Sequence, residues 1–415
     1  MKFFPHPKFA ASTVCALLVL TACSQASDSG TETDTPTEPP VDVAALDTGE
    51  YATEPHEPFG KADDSNGLDF ETQRMAEFLA MPFEIDPALT ERTKLPLQSI
   101  RSAAENQPLT EEEQAALDDN QFLYGVTSGG DVPSTEDSPN QQMMYQVLRF
   151  PTPENAKQAA NQLASVGGEG SAPVEIPGHP EALAHTRLTG FDSDFTVVSY
   201  QPHGEYVLLS QVRAPEADRD VSLERTAKFL DVQAPLIDGF YGVEASAAPR
   251  PAGAPKVDTT IDQNEILRYT LPSLEGDETS NGGHNMGAFG PRGYALMADH
   301  AEPTMNLLTE ADAKHTGSWA TSLFRAGSDE QAERLEQGLM KLDSDDGASD
   351  AEPPKGLPNA KCLKEPISSG IVHSCFVRVG RYVGVAQQLD DRESVDQAIS
   401  AQYIILQKAD QDIED

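Results

Sequence analysis

Leu148-Arg149-Phe150-Pro151-Thr152-Pro153-Glu154-Asn155-Ala156 has a second version at Leu323-Phe324-Arg325-Ala326-Gly327-Ser328-Asp329-Glu330-Gln331-Ala332. Arg325 answers Arg149 at an offset of 176 residues. At the same offset His203-Gly204-Glu205-Tyr206-Val207 meets Val379-Gly380-Arg381-Tyr382-Val383. Gln233-Ala234-Pro235-Leu236-Ile237 pairs with Gln402-Tyr403-Ile404-Ile405-Leu406 at a slightly shorter offset. Upstream, Arg74-Met75-Ala76 is matched more weakly to Arg292-Gly293-Tyr294, and Leu89-Thr90-Glu91 to Leu308-Thr309-Glu310. Two copies of this length indicate a duplicated domain rather than a solenoid of short repeats.

Local signals agree within each copy. Residues 144–150 have strand character. Thr152 then caps a predicted helix with Pro153 at its first position and Ala156, Ala159, Ala160 and Leu163 on one face. In the second copy Ser328 and Gln331 form a predicted capping box ahead of Ala332, Leu335, Leu339 and Leu342. Residues 195–200 and 206–212 read as paired strands across Gln201-Pro202-His203-Gly204, and 371–379 with 382–387 as their counterparts across Gly380-Arg381. Closing helices are expected at 222–230 and 393–408. The predicted fold class is therefore α+β: two related domains, each an antiparallel sheet with helices packed on one face and a β-α-β-β-α core. Two further helices are expected before the first unit, at 69–81 and after the capping box Thr110-Glu111-Glu112-Glu113.

The ends of the chain differ from this core. Lys2 and Lys8 precede an apolar run at 9–20, too short to span a bilayer, which takes about 20 residues. Leu20-Thr21-Ala22-Cys23 closes it as a lipobox, so Cys23 is the expected lipid attachment site and 1–22 a lipoprotein signal peptide. Residues 23–40 are the lipidated N-terminus and a tether too polar to bury a core. The first domain is expected at 41–244, a Pro/Ala-rich linker at 245–256, and the second domain at 257–415. Cys15 leaves with the signal, so Cys362 and Cys375 remain as a pair. In an oxidising compartment they are read as a disulfide, stabilising by about 3 kcal/mol for so short a loop. Cys362 and Cys375 align roughly with Ala184 and Ser199, so only the second copy would be stapled.

With 68 acidic and 29 basic residues the net charge is −39, which disfavours nucleic acid and anionic headgroups as partners. The expected partners are the membrane, through the lipid anchor, and an envelope protein or small ligand.

The chain also resembles a family of uncharacterised mycobacterial and corynebacterial lipoproteins. The likeness is carried by the lipobox and Thr/Pro-rich tether and by Val41-Asp42-Val43-Ala44-Ala45-Leu46-Asp47-Thr48-Gly49-Glu50-Tyr51. Arg74-Met75-Ala76-Glu77, Pro82-Phe83-Glu84-Ile85-Asp86-Pro87-Ala88-Leu89, the Leu-Arg-Phe-Pro strand end and His203-Gly204-Glu205-Tyr206-Val207 extend it. The resemblance implies a secreted, lipid-anchored actinobacterial envelope protein in a domain family of unknown function, and assigns no functional residue.

Motifs for chemistry are sparse, and no catalytic residue is identified. Val126-Thr127-Ser128-Gly129-Gly130 lacks the first glycine of a G-x-S-x-G nucleophile elbow and is read as a Gly-rich loop. Gly287-Ala288-Phe289-Gly290-Pro291-Arg292-Gly293 is too bulky for a phosphate cradle and is read as a turn into a strand. His179 with His185, and Asp312 with His315, lack metal-ligand spacing, so no metal and no cofactor is assigned. His203 and His373 are expected to hydrogen-bond to hairpin turns. Asp343-Ser344-Asp345-Asp346-Gly347-Ala348-Ser349-Asp350 misplaces the glycine of an EF-hand loop and is read as a solvated acidic loop. Trp319, the lone tryptophan, is expected in the core. The function this predicts is non-enzymatic binding or scaffolding of an envelope component, in a groove between the domains. The alternative is an extracytoplasmic hydrolase acting on envelope polymers.

Overall fold

A computed structural model describes residues 41–62, 67–92, 97–106, 109–133, 141–168, 171–187, 194–240, 260–274 and 286–413. The expected signal peptide, the tether with Cys23, and the linker at 245–256 lie outside them.

The first half opens with helices α1 (Gly67–Ala76) and α2 (Pro82–Ile85) and short strands β1 (Glu91–Arg92) and β2 (Gln98–Ile100). Helix α3 (Glu111–Asp119) leads into the pair β3 (Tyr124–Asp131) and β4 (Gln142–Arg149). There follow α4 (Pro153–Gly167), β5 (Pro173–Val174), β6 (Leu183–Arg187), β7 (Asp194–His203), β8 (Tyr206–Pro215) and α5 (Arg219–Ile237). The second half runs β9 (Gly287–Phe289), α6 (Pro291–Ala295), α7 (Ala301–Glu310), β10 (His315–Ser318) and β11 (Ser322–Arg325). Then come α8 (Asp329–Asp345), β12 (Ser349–Ala351), β13 (Lys361–Ile367), β14 (Gly370–Val379), β15 (Tyr382–Leu389) and α9 (Arg392–Leu406).

Both sheets are antiparallel and share one order. Among the described residues the first runs β1-β3-β4-β8-β7-β6-β5, with β2 also on β3, and the second runs β9-β10-β11-β15-β14-β13-β12. The duplication is therefore real at the level of topology. It holds residue by residue in the register: Arg149 faces Tyr206 and Tyr124, while Arg325 faces Tyr382 and His315. Gly204 and Gly380 sit at matching hairpin turns with φ of 53° and 55°, a left-handed conformation that favours glycine. The strand before the first turn is longer than expected. It runs through Pro202 to His203, and the reversal is left to Gly204 and Glu205.

The weaker upstream matches fall elsewhere. Leu308 on α7 occupies the place of Leu117 on α3, both fully buried ahead of the first hairpin strand. Arg292 does not answer Arg74. What corresponds to the loop after α1 is the segment 269–271, because the paired glutamines bind the two loops alike. Gln233 accepts from Ala80 N at 2.9 Å and donates to Phe78 O at 2.8 Å. Gln402 accepts from Leu271 N at 2.9 Å and donates to Tyr269 O at 2.8 Å.

Helices cover both faces of each sheet, where the sequence pattern predicts one. On β8, Val207 and Leu209 pack under α4 with Ala156, Ala160 and Leu163, while Leu208 and Val212 pack with Phe229 and Leu230 of α5. On the second sheet Phe324 and Val383 meet Ala332 and Leu335 of α8, and Leu323 and Tyr382 meet Ile399 and Leu406 of α9. The cause is visible in the strands: Val197-Val198 and Val207-Leu208-Leu209 are apolar at successive positions, which point to opposite faces.

The caps form largely as expected. Thr152 accepts from Asn155 N, and Thr110 and Glu113 complete a capping box. Ser328 accepts from Gln331 N at 3.2 Å, but the Gln331 amide turns away to Glu310 O, so that box is half made. Both halves fall within one compact unit, Pro40–Asp415. The segment 41–62 packs on the second half although it precedes the first: Val41, Leu46, Tyr51, Phe59 and Ala62 join its core. Tyr51 Oη lies 3.0 Å from Ser394 Oγ on α9, and Lys408 Nζ donates to Glu54 at 2.6 Å.

Candidate functional site: a cleft between the halves

Helix α1 is enclosed on nearly every side. Leu68, Phe70, Met75 and Ala76 are buried, and so are the polar Glu71, Thr72 and Gln73. Its outer flank meets β9 and α6 of the second half. Gly287 and Gly290 let the two approach: a Cβ on Gly287 would lie 2.9 Å from the Gln73 amide carbon, and one on Gly290 2.4 Å from a Glu77 oxygen. The Glu77 carboxylate accepts from Gly293 N at 2.9 Å and Arg292 N at 3.3 Å. Burial raises the pKa of Glu77, and those two N–H groups work against the rise. Arg292 reaches back to Glu84 with a bidentate pair at 2.7 and 2.9 Å and to Leu79 O at 3.2 Å. That is why the sequence match of Arg292 with Arg74 fails: Arg292 joins the halves instead of repeating within them.

Beside this junction lies a cavity of ≈330 Å³. Phe70, Gln73, Arg74, Glu77 and Phe78 form one wall, with Ile261, Phe289, Pro291, Lys314 and His315 opposite. Arg74 pairs with Glu71 at 2.5 Å and stands over Phe240, and Lys314 is 3.6 Å from Asp312. His315 contacts the Asn264 amide at 2.6 Å. Gln73 donates to Met286 O at 3.2 Å, is nine-tenths buried, and its Oε1 accepts no hydrogen bond. Behind Glu71 a buried chain runs inward: Tyr124 Oη donates to Glu71 at 3.2 Å, and Arg149 donates to Tyr124 Oη at 2.5 Å. Burial pushes the Tyr124 phenol well up, so it stays a neutral donor between the two charges.

Two other hollows are built differently. One of ≈170 Å³ against α8 gathers Asp299, His300, Asp343 and Asp346, with His300 2.7 Å from Asp346. There burial, then Glu365 and Asp346, push Asp343 up to about 6. Another of ≈360 Å³, among Asp47, Lys355, Arg392 and Asp396, is an open patch of charged side chains.

The residues singled out in the sequence disperse across the fold. Leu20, Thr21, Ala22 and Cys23 lie outside the described residues. Cys362 and Cys375 are bonded, facing each other across β13 and β14, in register with Ala184 and Ser199 across β6 and β7. Val126–Gly130 is not a loop but the middle of β3, where Gly129 admits the Met143 carbonyl of β4 too closely for any side chain. Gly287–Gly293 turns from a strand into a helix rather than into a strand. His179 pairs with Asp231 and His185 is buried against Tyr200, so the two do not converge. His203 reaches Asp238 at the end of α5 instead of the turn. Asp343 and Asp345 belong to the last turn of α8, not to a loop. Trp319 is half-buried, packed against Phe59 and His56 of the N-terminal segment. Among the described residues, the close group of metal-type ligands is Cys362, Cys375 and Asp396, and its sulfurs are already bonded to each other. No described helix is long and apolar enough to cross a membrane.

A groove between the halves was expected, but not its lining, because the walls come from segments about 200 residues apart.

Comparison with known proteins gives little function and a clear lineage. No curated protein matches. The extracellular domain of PknH from Mycobacterium tuberculosis aligns at 10% identity over 42% of this chain and 97% of its own, with a TM-score of 0.26, too slight to carry an argument. Models of one domain of unknown function match twice, its N-terminal part at residues 59–250 and its C-terminal part at 266–409. The boundary between the two matches falls between the two sheets, and the chain belongs to the DUF7373 family.

Proposed function

We propose that this protein is a lipid-anchored component of the cell envelope, held at the extracytoplasmic face of the membrane through Cys23, and that it binds a small envelope component without transforming it. The observation that carries the binding role is the cleft between the halves. It is a concave cavity whose aromatic and aliphatic walls carry polar and charged groups such as Gln73, Arg74, Glu77, Lys314 and His315, set where two duplicated units meet, and small-molecule sites favour that kind of place. The anchor rests on Leu20-Thr21-Ala22-Cys23 closing the short apolar run. Two or more acyl chains on Cys23 hold a protein stably, each buried methylene adding about 0.8 kcal/mol.

Native mass spectrometry of the mature protein after exposure to envelope extract tests the binding role. A retained small molecule that a cleft-filling Lys314→Trp variant, at an exposed position on the cavity wall, fails to retain supports it; a clean apo mass in every extract fraction sinks it. Labelling with radioactive palmitate, lost in Cys23→Ala, tests the anchor.

A further inference from the structure

We infer that the hollow against α8 receives the arginine side chain of a partner polypeptide, at a site built by the second half alone and separate from the cleft. The first half shows what belongs there. The Arg187 guanidinium on β6 is ion-paired to the fully buried Glu113 carboxylate, which also accepts from Tyr200 Oη at 2.8 Å. Gly167, the last residue of α4, makes the room: a Cβ there would lie 2.6 Å from a Glu113 oxygen. This copy of the frame thus seats a guanidinium of its own between a helix end and the sheet.

The second half keeps the place and removes its arginine. At the offset of 176 that aligns Arg149 with Arg325, Gly167 becomes Asp343 and Tyr200 becomes Phe376. Through the strand register, Arg187 opposite Thr196 becomes Glu365 opposite Val372. Thr304, four residues before Leu308 as Glu113 is before Leu117, stands where the buried carboxylate was. What results is the ≈170 Å³ hollow with Asp299, His300, Asp343 and Asp346 in its lining and Glu365 acting on it from β13. Burial, and then neighbouring carboxylates, raise both Asp343 and Glu365, a rise that a seated cation would reverse.

Three observations select the cation and its source. Among the described residues these acids do not bring three ligand atoms within 4.8 Å of one another, as a single metal ion requires, whereas a guanidinium spreads five N–H donors. The hollow is smaller than the roughly 300 Å³ at which pockets for whole small molecules begin, which suits the end of one side chain. Beyond Gln387 on the same sheet face, Leu389 and Ile367 are exposed beside half-buried Val372, an apolar shelf for the residues that flank an arginine. In the first half the places of Leu389 and Val372 are held by Arg213 and Thr196, so the shelf, like the hollow, belongs to the second copy.

The test is isothermal titration of the full mature protein at neutral pH with acetyl-Leu-Arg-Leu-amide, the same peptide with glutamine for arginine, acetyl-arginine amide, and calcium chloride. The arginine peptide should bind about tenfold or more tighter than the glutamine one, the worth of one charged hydrogen bond. Asp343→Asn, which relieves crowded charge and so keeps the fold, should weaken it by about tenfold. Glu365→Arg, at a partly exposed position, returns the residue type of the first half and should abolish binding. Leu389→Ser should weaken the peptide by about threefold and leave acetyl-arginine amide unchanged. Equal binding of the two peptides, no binding of either, or binding indifferent to both Asp343→Asn and Glu365→Arg overturns the inference. Acetyl-arginine amide bound as tightly as the peptide overturns the polypeptide source, and calcium that displaces the peptide overturns the choice of cation.

Discussion

The two halves place an arginine at the same point of the same sheet and finish it differently. Arg149 hands its charge through Tyr124 to Glu71 on α1, and Glu71 also holds Arg74 at the cleft. Arg325, buried completely, donates instead to the Asn264 carbonyl at 2.7 Å, and it also hydrogen-bonds the Tyr382 phenol. One arginine belongs to a chain of side chains that reaches the cavity; the other bonds a backbone carbonyl and the phenol of its strand neighbour. Where the partner is backbone in both halves, as at Gln233 and Gln402, the geometry is shared almost to the tenth of an ångström. Where it is a side chain, the halves part. The frame is therefore held by backbone-directed anchors, while the polar side chains that lead to the cleft differ between the halves.

The strongest way to break this comparison is at the glutamines. Gln233→Leu and Gln402→Leu each strand a buried N–H and a buried C=O, and each should cost about 3 kcal/mol or more in urea denaturation. A silent Gln233→Leu would show that the two loops are not equivalent. Next is the disulfide. Replacing Cys362 and Cys375 by Ser should cost about 3 kcal/mol for a separation of 13 residues. Ala184→Cys with Ser199→Cys, at the matching register, should form a new bond, seen by mass as the loss of two hydrogens; failure to close would mean the register match does not extend to side-chain direction. Arg292→Ala removes the bidentate link to partly exposed Glu84 and should cost about 1–2 kcal/mol, read by thermal melting. Proteolysis between the halves should rise with it.

The smallest effect concerns Asp343, which has no acidic counterpart in the first half. Burial, then the nearby Glu365 and Asp346, hold its folded pKa at about 6, above the 3.8 of a free aspartate. The folded state therefore holds this proton more tightly than the unfolded chain, so stability is greatest below pH 3.8 and is lost as pH rises towards 6. Asp343→Asn should flatten that window and raise stability at pH 7 by about 1 kcal/mol after solvent screening. A melting curve against pH that is the same for both proteins would remove Asp343 from the account.

Much of the frame was legible because its signals are local. Thr110, Thr152 and Ser328 announce helix starts through bonds three residues away, and Gly204 and Gly380 mark turns that need a left-handed φ. The second helical layer was legible in principle, since Val197-Val198 and Val207-Leu208-Leu209 cannot all point one way, yet a predicted helix shows its apolar face and not which face of a sheet it meets. A groove between the halves was expected, but its residues were not legible. Gln73 and Gly287 come together only after both sheets have formed, and nothing within either segment records the other. Gln233 and Gln402 were noticed as a repeat, but their role lies in the loops they bind, about 130–155 residues upstream.

The segment at 41–62 bears on the order of synthesis. Tyr51 and Glu54 leave the ribosome 343 and 354 positions ahead of their partners Ser394 and Lys408. The first sheet and its helices can close while the chain is still being made, but this opening segment must wait for α9. Its docking is a strongly non-local step, with Tyr51 and Ser394 separated by 343 positions, and such contacts form late because the intervening chain must be ordered first. Until then Leu46, Tyr51 and Phe59 lack their cover, so the long-lived folding intermediate should be one with a finished first half and an exposed apolar opening segment.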